Sequence, residues 1–391
     1  MVNAVYDHII ATIVIGAVFV GAVVVLPAMS FINIQAVDQQ QLRNTALNVF
    51  NAMLLDTGLG VNGTRLTTNW GSMDPFDVNN VTRFGLASAQ DSTFYVLDPD
   101  KVQRLVEGNP LNYINYNRAR ELLGLQGYGF CLRIIPPFNV TVLEITPPDI
   151  TLSYKVKVLY LNGGPIPNAE ASATIVYTSG DEFNITMSHP PQANALGIIE
   201  DTVRLSFKPR YVMVILRVTV ADVATLVVTF GSTPANYIAK INMVGDNIIL
   251  TMPDGNETPR PNRNILEIFA FESQGSLTSL YTGTKTGTDS KLNYGWGSNW
   301  RIWERPFPSL HSQDPVILVF NIWTVPPNAP PGEGGKQEVI VAGPYQNLLG
   351  YTVFQYGPSP KSSGAAVRIQ RSVVISGMTY TAELLLWKES P

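Results

Sequence analysis

From Ile9 to Val37 the chain reads IIATIVIGAVFVGAVVVLPAMSFINIQAV, 29 residues without one charged side chain. An apolar stretch of about 18 residues or more is a candidate for crossing a bilayer as a helix. As one helix this run would extend about 44 Å. The hydrocarbon of a bilayer is only about 30 Å thick, and tilt absorbs part of the excess. A removable secretory signal opens on a positive n-region. The stretch MVNAVYDH has no Lys or Arg, Asp7 stands just ahead of the run, and the first basic residue is Arg43. The segment therefore reads as a retained helix, a poor match to a cleaved signal.

The helical pattern continues beyond the run. Leu42, Ala46, Val49, Phe50 and Met53 recur at three- and four-residue spacing, and Gly58 and Gly60 supply stop signals. The simplest expectation is one long N-terminal α-helix within residues 1–57, of roughly 50 residues, lipid-compatible first and amphipathic later. Pro27 removes a backbone donor in its middle and should kink it. Gly16, Ala17 and Gly21 form a small-residue register that lets helices approach closely, although such residues occur in any membrane helix. Phe31 and Ile34 lie past the membrane-sized portion and would need burial elsewhere.

The segment YDHIIATIVIGAVFVGAVVVLPAMSFINIQAVDQQQLRNTALNVFNAML resembles the N-terminal helix of the type IV pilin superfamily, archaeal pilins and archaellins in particular. The resemblance covers about the first 55 residues. It implies a long apolar helix, then an amphipathic half and a β-rich head. It also implies copies joined in a helical homopolymer, with the membrane as host before assembly. Two features depart from the family: no basic leader precedes the run, and Asp7 stands where bacterial pilins carry a Glu.

The remainder reads as a mixed α/β segment over 58–138, an immunoglobulin-like β-sandwich over 139–231 and a second β-rich domain over 232–391. In TLSYKVKVLY, Leu152, Tyr154, Val156 and Val158 alternate with polar residues, the period of a half-buried strand. The segments YVMVILRVTV and ATLVVTF follow, with turn residues between strand candidates, as in an antiparallel sandwich. The two β regions could be distant duplicates of each other.

Charge and chemistry narrow the function. Charged residues are 14% of the chain and the net charge is −4, without the clustered Lys and Arg that nucleic acid requires. The single cysteine, Cys131, excludes an intrachain disulfide. No nucleotide-binding or hydrolase motif is present, so neither catalytic residues nor a cofactor or metal is expected. Ser309, His311 and Asp314 are neighbours in one turn-like stretch, which a catalytic triad rarely is. Asp98–Asp100 lacks the ligand spacing of a calcium loop and reads as a turn or helix N-cap. Trp296, Trp300, Trp303 and Phe307 suit a β core first, with a sugar platform or subunit contact as alternatives.

Taken together these features suggest a structural subunit of an extracellular pilus-like filament that serves adhesion, with an individually membrane-anchored cell-surface or S-layer-associated adhesin as the alternative. Asn62, Asn80, Asn139, Asn184 and Asn256 each begin an Asn-x-Thr sequon and could carry N-linked glycans on an exported chain. Intact-mass measurement of native protein should then exceed 42.8 kDa. A mass matching the bare polypeptide would show the sequons to be unoccupied.

Overall fold

A computed structural model describes residues 14, 15, 19, 39–73, 76–91, 93–107, 112–146, 149–231, 240–253, 262–295, 300–308, 317–325, 334–342, 353–360 and 366–389. Helix α1 occupies residues 39–55. Leu42, Ala46, Val49, Phe50, Met53 and Leu54 are all buried, the one-sided stripe of an amphipathic helix. The helix ends where expected. Gly58 adopts φ +70°, and an added Cβ would lie 2.6 Å from the Trp70 indole nitrogen. The Asp56 carboxylate accepts from Gly58 N at 2.8 Å, and Leu86 N satisfies the Met53 carbonyl at 2.8 Å.

The expectation of a long N-terminal α-helix is corrected here, and the pilin resemblance with it. Among the described residues the helices are α1, α2 (Pro99–Gln103) and α3 (Tyr116–Leu122), and none is long and apolar enough to cross a membrane. Residues 14, 15 and 19 have helical backbone, separated from α1 by residues outside the description. The physical reason lies in packing: a helix in a protein is held chiefly by burial of one face. The segment from residue 39 has such a face, the buried stripe from Leu42 to Leu54.

Strands β1 (Leu59–Asn62), β2 (Arg65–Thr67) and β3 (Val81–Arg83) form a small sheet beside the helix. Strands β4 (Val96–Leu97) and β5 (Tyr128–Ile135) then enter a larger sheet completed only at the far end of the chain. Between those two parts lie two sandwiches. The first comprises β6 (Asn139–Ile145), β7 (Thr151–Leu159), β8 (Glu170–Ser179), β9 (Glu182–Ser188), β10 (Ile198–Arg204), β11 (Tyr211–Val220) and β12 (Val223–Phe230). Its sheets run β10-β7-β6 and β12-β11-β8-β9. Leu152, Tyr154, Val156 and Val158 point into its core, so the alternation of β7 in the sequence is its burial pattern.

The second sandwich comprises β13 (Lys240–Val244), β14 (Asn247–Pro253), β15 (Asn262–Phe271), β16 (Leu277–Thr282), β17 (Asn293–Gly295), β18 (Trp300–Pro306), β19 (Ile317–Val325) and β20 (Lys336–Ala342). Its sheets run β13-β14-β18-β17 and β16-β15-β19-β20. With β17 removed, its strand order matches that of the first sandwich strand for strand. Trp303 and Phe307 belong to its core with Ile248, Leu318 and Phe320.

Finally β21 (Phe354–Tyr356), β22 (Ala366–Ile375) and β23 (Met378–Lys388) close the larger sheet in the order β21-β5-β23-β22-β4. Glu383 of β23 lies opposite Arg133 of β5. The sequence divisions at 138 and 232 therefore part strands that pair with each other, since the terminal strands complete the sheet begun by β5.

One apolar interior joins these units. It gathers Phe50 and Met53 from α1, Leu132 and Leu384 from the larger sheet, Met213 and Ile215 from β11, and Ile317 and Val319 from β19. Phe183 of β9 stacks on Phe269 of β15 at 5.6 Å with planes 10° apart. Phe50, with 1% exposure, sits deep in this interior. Its replacement by Ala should lower unfolding free energy by about 3–5 kcal/mol in urea titrations, and an effect below about 1 kcal/mol would show that α1 is only loosely docked.

Candidate functional site

Several polar clusters are buried, and each is committed to holding the fold. Asp98 caps α2 by accepting from Asp100 N at 2.9 Å and Lys101 N at 3.4 Å. This is the N-cap role read for the acidic pair. Lys101 is fully buried, donates to the Ala87 carbonyl at 2.7 Å and pairs with Asp98 at 3.4 Å. Burial pushes its ammonium below the usual lysine range, with Asp98 opposing. Asp100 accepts from Ser72 Oγ at 2.5 Å and from Gly245 N at 2.8 Å, which clasps α2 to the β13–β14 turn of the second sandwich. Arg104 donates to the carbonyls of Gly71 and Met73.

A second cluster lies on the larger sheet. Glu383, 1% exposed, accepts from Arg368 Nε at 2.5 Å and Gln370 at 2.7 Å and pairs with Arg133 at 3.4 Å. A third, between β15, β19 and β20, links Asn321 to Glu267 at 2.8 Å and to Gln337 at 3.1 Å. Gln337 N in turn donates to the Gly180 carbonyl of the first sandwich at 3.0 Å. The hydroxyl–carboxylate pair in these sets, Ser72 with Asp100, is held in the clasp between α2 and the β13–β14 turn. Burial raises the Cys131 thiol above its usual range, an unreactive setting. Among the described residues no group of three His, Cys, Asp or Glu side chains could hold a metal ion.

The surface that stands out is at the N-terminal end. Within the uncharged run the three described residues are well exposed, Val14 at 55%, Ile15 at 69% and Phe19 at 69%. Nothing in the described chain covers them. On α1 the face turned away from the core carries Gln40, Gln41, Asn44, Asn48 and Asn51, all exposed, and Arg43 is the helix's single charge. An amide both donates and accepts. A stripe of amides is thus compatible with an identical stripe, whereas like charges at such a contact would repel.

The assembly residues singled out in the sequence (Gly16, Ala17, Gly21, Pro27, Phe31 and Ile34) lie outside the described residues. So do Asn256, Trp296, Ser309, His311 and Asp314. Asn62 ends β1 and Asn80 ends the short 3-10 turn Val78–Asn80, both exposed. Asn139 begins β6, and Asn184 on β9 donates to Ser206 Oγ at 2.7 Å; both are half-buried. The sequence reading missed an open cleft walled by residues 105–107, 113–117 and 354–358. The available signal was the alternation of Asn and Tyr in NYINYN, Asn112 to Asn117.

No family model matches this chain, and no curated protein matches it. Among solved structures, it is similar to trypsin-activated α2-macroglobulin of Escherichia coli (14% identity, 60% of this chain and 19% of that one, TM-score 0.21). Methylamine-reacted Salmonella α2-macroglobulin is similar to the same degree (14% identity, 60% and 17%, TM-score 0.21). Red sea bream transglutaminase follows (11% identity, 61% and 34%, TM-score 0.18). The chain spans about a third or less of the length of these proteins. Overlap this weak carries no argument about activity. None of the named structures is a pilin.

Three buried tyrosines give the folded state a measurable alkaline limit. Burial holds Tyr154, Tyr356 and Tyr380 above the usual phenol range; Asp201 adds to the effect at Tyr154 and Tyr116 at Tyr356. Above about pH 10 the unfolded chain releases these protons and the folded chain retains them, so the unfolded state binds fewer. Their contribution to stability is complete below pH 10 and is lost as pH rises beyond it. Denaturant titrations from pH 9 to 11 should show a falling unfolding free energy, less steep in Tyr380→Phe; an identical slope in that variant would contradict the assignment.

Proposed function

We propose that this protein is a structural, non-catalytic subunit of an extracellular homopolymer, joined to copies of itself through its uncharged N-terminal segment with the β-rich body outermost. The observation that carries this reading is the exposure of Val14, Ile15 and Phe19 within a run of 29 uncharged residues. Each large apolar side chain gains about 1.5–3 kcal/mol on full burial, so a surface of this kind calls for a cover that the described residues do not give it. A lipid bilayer suits the run before assembly. A second copy suits both the run and the amide stripe that continues it along α1.

The body fits the same role. Two sandwiches and a larger sheet locked through one interior make a stiff unit, and low charge with four exposed or half-buried sequons suits an outward, hydrated surface. Such a body transmits load between an anchored end and a free end. The exterior location belongs to this reading, as does adhesion by the outer sandwiches.

The test replaces Ile15 and Phe19 together by Asp in the full-length chain. Electron microscopy and sedimentation of the wild type should show polymers, and the double variant should remain dispersed with an unchanged circular dichroism spectrum. Polymers of ordinary length from the double variant would refute self-assembly through this segment. Wild-type chains that stay single while embedded in vesicles would favour the individually anchored surface protein.

A further inference from the structure

Residues 105–107 and 113–117 face residues 354–358 across an open cleft of about 760 Å³, within the usual range of small-ligand sites. Its aromatic elements are fixed before any ligand arrives. The Tyr356 hydroxyl donates to the Ile114 carbonyl at 2.9 Å, and the Tyr116 hydroxyl accepts from Phe130 N at 2.9 Å. The Tyr116 ring lies 4.9 Å from Phe130 and meets Tyr356 edge-on at 6.3 Å. Tyr356 is buried as floor, and Tyr113 and Tyr116 are half-buried. Rings held in this way lose little freedom on binding.

The rim is made of neutral polar groups. Asn115 uses its Oδ1 to accept from Arg118 N, which leaves its amino group as a donor. Gln355 uses its Nε2 on the Gly357 carbonyl at 3.1 Å and Ser359 Oγ at 3.3 Å, which leaves its carbonyl as an acceptor. The Tyr113 hydroxyl and the Asn117 amide have no partner among the described residues. Glu107 is the one carboxylate among the described lining residues, and no Lys or Arg is among them.

We propose that this cleft binds a neutral carbohydrate. A sugar offers hydroxyls that both donate and accept, which the amides and phenol of the rim match group for group. Its C–H face also packs on aromatic rings, which supply large contact area at low entropic cost. No described lining residue is a cation that would receive an anionic ligand. An extended peptide would need apolar pockets for alternate side chains, yet Leu105, Val106 and Phe354 are buried beneath the rim at 2%, 9% and 8% exposure. This site is independent of self-assembly and goes beyond it, since it gives the body a ligand of stated class.

Saturation-transfer NMR on the full chain tests the site, with maltotriose, chitotriose and mannotriose as neutral probes. Sialyllactose serves as the charged control and acetyl-tetraalanine amide as the peptide control. At least one neutral trisaccharide should bind, and Tyr113→Ala or Gln355→Ala should weaken it roughly tenfold. Both positions lie at the rim, so circular dichroism should be unchanged. Absence of binding by all three neutral probes would overturn the proposal. So would affinity that persists in both variants, or a preference for the charged or peptide control.

Discussion

Phe50 and Met53 of α1, Leu132 and Leu384 of the larger sheet, and Met213, Ile215 and Val319 of the two sandwiches meet in one apolar interior. Every unit of the molecule lends a face to it. The α1 stripe has the larger sheet to pack on only because β5 and β23 pair, and Glu383 and Arg133, which span that pair, are 250 residues apart in the chain. Closing so long a loop is entropically unfavourable but grows only slowly with length, and the buried apolar area at its mouth offsets it. The polar clasps at Asp100, Glu383 and Gln337 sit at the margins of this interior and fix its register.

The parts legible in the sequence were those with a local periodic signal. The stripe from Leu42 to Met53 and the stop at Gly58 gave α1 its position, and the alternation in TLSYKVKVLY gave β7 its inward face. A subtler signal was also present. VMVIL in β11 and ILVF in β19 are apolar without alternation because both faces of those strands are buried. Inward residues enter a sandwich core, while Met213, Ile215, Ile317 and Val319 enter the shared interior. Read in that way, the two runs reveal that each sandwich has a covered outer face.

Three things were not legible. The pairing of β5 with β23 has no sequence signature, because neither strand records how far away its partner lies; the boundaries at 138 and 232 followed local pattern and missed it. The long N-terminal helix was inferred from apolarity, which measures a need for cover and does not specify what supplies it. The cleft escaped because its residues come from two ends of the chain. Tyr116 and Tyr356 are brought edge to face by the pairing of β21 with β5, a second long-range contact made by the same strand. Fold and candidate ligand site thus share one dependence.

Native-state hydrogen exchange tests the shared interior most directly. If α1, the larger sheet and both sandwiches stand or fall together, amides of Leu132 and Leu384 and those of Ile215 and Val319 should exchange only through global opening. They should then share one opening free energy and one denaturant dependence. Separate free energies for the two sandwiches and the larger sheet, each with its own smaller denaturant slope, would contradict the account and show three units folding independently.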